Sequence, residues 1–91
     1  MKDKLLLGVR LPATLERYKF RMPYDLTVEE GSRLAARLLA AREPARYVAS
    51  PEVEMMYLEG ASAGVIINPK ETFRSLVLQG LLVEGSEVML V

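Results

Sequence analysis

The sequence predicts an α+β fold, a mixed sheet of four to five strands with one helix packed across it. Three observations carry that prediction. The chain opens with two runs of period-two hydrophobicity, has a single long helical pattern in its middle, and closes on a short apolar run, Val88-Met89-Leu90-Val91. At 91 residues with 51% hydrophobic content, the chain is long enough for one core and short for two, so residues 1–91 are expected to form a single domain.

The first strand is marked by Leu5, Leu7, Val9 and Leu11 recurring at every second position, with Lys4, Gly8 and Arg10 between them and Leu6 breaking the alternation. Residues 15–22 form the second, with Tyr18, Phe20 and Met22 on one face and Arg17, Lys19 and Arg21 on the other. Pro12-Ala13-Thr14 supplies a turn, which makes the opening an antiparallel hairpin. Pro23 ends the second strand because it has no N–H to donate.

A helix begins at Thr27-Val28-Glu29-Glu30, which has the spacing of a capping box. Its apolar positions Val28, Leu34, Ala35, Leu38 and Leu39 fall near one stripe, and Glu29 to Arg33 is an i,i+4 pair of favourable orientation. Gly31 is the weak point of the first turns, and Pro44 forces a stop just before it. Residues 43–51 hold two prolines and no period, and read as a loop. Residues 53–58 read as a strand, 59–64 as a turn and 65–67 as a short strand broken by Asn68-Pro69. Residues 70–78 hold a helical turn, and 87–91 form the last strand.

The order is therefore ββαββ(short helix)β, which is the order of the ubiquitin-like β-grasp family. The tail resembles that family through Ser75-Leu76, Gly80-Leu81 and Gly85-Ser86-Glu87-Val88-Met89-Leu90, the opening of the helix through Pro23-Tyr24-Asp25-Leu26-Thr27-Val28. The resemblance covers nearly the whole chain and rests on packing motifs. It implies that the first and last strands pair in parallel at the sheet centre, and that Leu76, Leu81, Val88 and Leu90 are core. Among bacterial relatives the chain is most similar to the YukD-like proteins associated with type VII secretion, through its size and its opening strand running into Arg10-Leu11-Pro12. It departs from ubiquitin in residues 43–51 and 59–64, so no binding surface is carried over from the family.

Composition bounds the function. The chain has no Cys, which excludes disulfide and thiol chemistry and fits a reducing cytoplasm, and no His, which removes the usual proton shuttle and the commonest metal ligand. Asp25, Glu29 and Glu30 at the helix start are explained by capping and dipole complementation, and Lys70 beside Glu71 lacks the desolvation that would make it a nucleophile. No catalytic, cofactor-binding or metal-binding residue is expected. The terminal residues have none of the glycines at which ubiquitin-like modifiers and sulfur carriers are activated, so conjugation is disfavoured unless the natural chain continues past Val91. The apolar stretch at residues 5–9 is too short to enter a membrane.

Twelve basic and twelve acidic side chains cancel, yet residues 1–46 carry ten Lys/Arg against six Asp/Glu (+4) and residues 47–91 two against six (−4). If the fold keeps the halves apart the molecule is a dipole that favours head-to-tail association; strands that interleave would largely cancel it. Arg17, Lys19 and Arg21, with Arg10 alongside, read first as protection of an edge strand, and no aromatic platform for nucleic-acid bases accompanies them. The favoured binding surface is the outward sheet face. Leu6, Met89 and one of Met55 or Met56, with Met56 taken as the outward one, would form an apolar patch there, and loop residues covering it are the competing reading. The expected function is a non-catalytic, cytoplasmic protein-interaction module, an accessory of a bacterial type VII secretion system; a self-associating structural subunit is the alternative. Its partner is another protein or a second copy, with no nucleic acid, membrane insertion or cofactor involved.

Overall fold

The computed structural model describes residues 3–12, 16–45, 47–50 and 52–91, and its first two elements are the strands of the expected hairpin. Strand β1 (Lys4–Arg10) pairs antiparallel with β2 (Arg17–Pro23) in unbroken register from Lys4 opposite Pro23 to Arg10 opposite Arg17. The turn expected at residues 12–14 lies largely outside the described residues. Leu5, Leu7, Val9 and, beyond the strand, Leu11 are all buried, as are Tyr18 and Met22 across the ladder. Each fully buried leucine or valine withdraws enough apolar surface to contribute about 1.5–3 kcal/mol.

Helix α1 (Val28–Arg42) starts as its sequence dictates: the Thr27 hydroxyl accepts from the Glu30 N–H, and the Glu30 carboxylate accepts from the Thr27 N–H at 2.9 Å. Arg33 and Glu29 stand 3.0 Å apart. The buried stripe is rotated from the expected one. It runs through Val28, Gly31, Ser32, Ala35, Ala36 and Leu39, leaving Leu38 exposed and Leu34 half-buried. Small residues face inward because α1 lies close to its neighbours: a Cβ on Gly31 would stand 2.5 Å from Cε2 of Phe73. Gly31 is therefore a packing site, where a weak point was expected. The buried Ser32 hydroxyl has no hydrogen-bond partner among the described residues.

Strand β3 is only Met55–Tyr57, shorter than the expected 53–58, although Glu54 and Val91 exchange N–H···O bonds beyond it. The expected strand at residues 65–67 is a single bridge, Ile66 opposite Met56, with Val65 and Ile66 exposed and only Ile67 buried. Asn68-Pro69 ends the run before a ladder can extend. Helix α2 (Phe73–Leu78) is capped by the Thr72 hydroxyl. Thr27 and Thr72 face each other in an isolated bridge, so both helices spring from one short stretch of paired backbone. Arg74 fixes this junction, 2.9 Å from Asp25 and over the Tyr24 ring at 5.2 Å. After α2, Leu82 is the buried residue, whereas Leu81, expected in the core, is 44% exposed. The N–H groups of both point to the Leu76 carbonyl, a tight turn that brings only the second side chain under the sheet.

Strand β4 (Glu87–Leu90), entered through Gly85 at φ +87°, runs parallel to β1 and antiparallel to β3. The sheet order is β2-β1-β4-β3, with the first and last strands at its centre. Val88 and Leu90 are buried against α1 side residues with Phe73, Leu76 and Met55 in one core. This is the ubiquitin-like fold, a mixed four-stranded sheet that, among the described residues, is covered by helix on one face.

A candidate protein-binding face on the sheet

Because side chains alternate along a strand, the residues between the core positions form the opposite, uncovered face. The strand register arranges them in rows. Arg21 on β2 stands opposite Leu6 on β1; Lys19 opposite Gly8, itself opposite Glu87 on β4; Arg17 opposite Arg10, itself opposite Met89. Met89 pairs directly with Met56 on β3, and Met56 with Ile66.

The three expected patch residues, Leu6, Met56 and Met89, are all half-buried on this face, and Met55 is inside at 1% exposure. They do not make one patch. Met56 and Met89 are cross-strand neighbours, continued outward by Ile66 and Val65, which are 39% and 54% exposed. Leu6 sits apart, separated by the row that holds Glu87. That carboxylate bridges two guanidinium groups: its Oε1 lies 3.0 Å from Arg10 and its Oε2 3.0 Å from Arg17. Leu6 instead lines a shallow groove of about 210 Å³ with Gly8, Gly85, Glu87, Arg17 and Lys19. Gly8 forms its floor, where a Cβ would approach the Glu87 side chain at 3.1 Å.

The parallel register that inserts Glu87 between Leu6 and Met89 was not readable from residue pattern, since each strand fixes its own faces but not its offset from a distant partner. Ile66 was also missed as a face residue. Its signal was the isolated Val65-Ile66-Ile67 run, whose inward member alone is buried.

The Arg10 and Arg17 ion pairs are partly exposed and contribute less than about 1 kcal/mol each. Their larger effect is positional, since they hold two guanidinium groups beside the methionine pair. Elsewhere, burial and the Glu16 and Glu43 carboxylates raise the Tyr18 hydroxyl above its ordinary range; its oxygen lies 3.1 Å from Glu16 and 3.3 Å from Glu43. That contact joins the start of β2 to the end of α1. Among the described residues, no group of three or more acidic side chains is arranged to hold a metal ion, and no helix is long and apolar enough to cross a membrane.

No protein-family model matches the chain, and no curated protein matches it. Solved structures do. A chain of the MycP5-free ESX-5 inner membrane complex superposes with a TM-score of 0.75 at 8% identity, over 99% of this chain and 21% of that one. Ubiquitin from Caldiarchaeum subterraneum gives a TM-score of 0.60 at 13% identity, covering 96% of this chain and 90% of the other. The AtNBR1 PB1 domain gives 0.61 at 16%, covering 99% and 98%. At these identities the likeness is one of fold.

Proposed function

We propose that the chain is a single non-catalytic, ubiquitin-like protein-interaction module that acts in the bacterial cytoplasm and binds another protein through the outer sheet face. The observation that carries this reading is the Met56–Met89 pair, half-buried on the sheet face opposite the core, continued by exposed Ile66 and flanked by Arg10. Methionine adapts its shape to a partner, and exposed apolar clusters rimmed by charge mark docking sites. Structures with this fold include ubiquitin and a PB1 domain. Without Cys or His, side chains suited to nucleophilic or acid–base chemistry at neutral pH are scarce, which supports a role that needs no catalysis and no cofactor.

The accessory role in type VII secretion is supported by the likeness to a chain of the ESX-5 inner membrane complex, of which this chain matches about a fifth. Affinity isolation with wild type, Met89→Glu and Leu6→Lys tests both parts of the proposal. Wild type is expected to retain a component of a secretion membrane complex. Met89→Glu should abolish that capture with the melting temperature within about 4 °C of wild type, less than the shift that 1 kcal/mol produces in a domain this size. Leu6→Lys, outside the methionine pair, should weaken capture less. Capture undiminished by Met89→Glu would overturn the assignment of the face, and a large fall in melting temperature would make Met89 a core residue. Partners unrelated to secretion would remove the type VII role and leave the binding face in place.

A further inference from the structure

The sheet order places the two ends of the charge asymmetry at opposite edges. Strand β2 is one edge and β3 the other, separated by about 14 Å, three interstrand spacings. At the β2 edge, Lys19 and Arg21 are exposed on the outer face, with Lys4 nearby on β1. Among the described residues, no carboxylate pairs with any of these three, whereas Arg10 and Arg17 are held by Glu87. On the opposite side of the sheet, in the segment that leads into β3, Glu52 and Glu54 are exposed and their carboxylates have no cationic partner among the described residues. Glu87 thus cancels part of the charge separation between the two halves, and the unpaired remainder lies on opposite sides of the sheet.

We propose that the occupant of these edges is a second copy of this chain, with the Lys19 and Arg21 edge of one molecule docking on the Glu52 and Glu54 edge of the next. The charges are complementary, and the molecule carries no net charge, so copies approach without long-range repulsion. Strand addition does not make the contact. The outer side of β3 is occupied by residues 65–67, through Tyr57 N–H to Val65 O at 3.0 Å and Ile67 N–H to Met55 O at 2.8 Å, and the Lys and Arg side chains of β2 oppose backbone pairing. Side-chain ion pairs between unlike edges make it heterologous, so it repeats and builds open chains of copies. This inference is independent of the methionine face, which the edges flank.

Sedimentation at 20 mM and 500 mM salt tests it. Wild type is expected to associate with rising concentration at low salt, and the association constant should fall about tenfold or more at high salt, as the Debye length shrinks severalfold. Lys19→Ala/Arg21→Ala and Glu52→Ala/Glu54→Ala should each be monomeric alone, and their equimolar mixture should stop at a dimer, since each retains one competent edge. Wild type that stays monomeric to 500 µM at low salt would overturn the proposal. Association that strengthens with salt, persistence of self-association in either variant, or a mixture that remains monomeric would overturn it equally.

Discussion

Replacing Gly31 by alanine adds one methyl group, a change that in an exposed helix interior gains roughly 1 kcal/mol. Here the added Cβ would stand 2.5 Å from Cε2 and 2.6 Å from Cζ of Phe73, a ring with 0% exposure in the middle of the core. Overpacking of a well-filled site costs about 1–3 kcal/mol, so the steric cost outweighs the gain in helix propensity. Gly31→Ala is expected to lower stability by up to about 2 kcal/mol once the gain in helix propensity is subtracted, read as a lower urea midpoint at unchanged slope. An equal or higher midpoint would show that the Phe73 ring moves aside without loss. Sequence periodicity assigns the face of such a residue but not its clearance, which depends on a ring 42 positions away in the chain.

Helix α1 owes its sharp start to the reciprocal Thr27 and Glu30 bonds. Thr27→Ala should cost about 1 kcal/mol, measurable by denaturation. Hydrogen bonding from the Thr27 backbone and then from its hydroxyl holds the Glu30 carboxyl below its ordinary value. A depressed folded-state pKa favours the native state while the carboxylate is ionised. The Glu30 contribution is therefore fully present above the unfolded value of about 4.3 and is lost as pH falls through the lower folded value. Acid unfolding of wild type should be steeper below about pH 4.3 than that of Glu30→Gln, which keeps an acceptor for Thr27 but cannot titrate. Identical acid limbs would show that the carboxylate contributes nothing there. This cap, the hairpin faces and the stop before Pro44 were legible in the sequence because each is set by residues within a few positions of one another. What local pattern did not give was the rotation of the α1 stripe toward Ala36 and away from Leu38, the burial of Leu82 in place of Leu81, and the reduction of residues 65–67 to a bridge. Each of those depends on how closely two distant elements approach. The same limit explains the outer face: Leu6, Met56 and Met89 lie half-buried between the core positions of their strands, but the Glu87 row between them follows from the register of β1 on β4.

Across the whole molecule stability is unevenly distributed. Strand β1 has ladders on both sides and a fully buried inner face, while residues 65–67 are attached to β3 by a single bridge. Native-state hydrogen exchange should therefore find the β1 amides of Leu5, Leu7 and Val9 opening only with global unfolding, and the Ile67 amide opening at lower cost. Equal protection at both places would show that the bridge segment unfolds together with the sheet. The central pairing also decides how the molecule bears load. Since β1 and β4 are parallel, the start of β1 and the end of β4 lie at opposite ends of the same ladder. Tension applied through the two ends of the chain pulls these strands past each other along their length. Their hydrogen bonds are then strained together, whereas a hairpin pulled open from its free ends loses them one at a time. A small sheet joined in this way resists being stretched by its ends far better than its modest core would suggest.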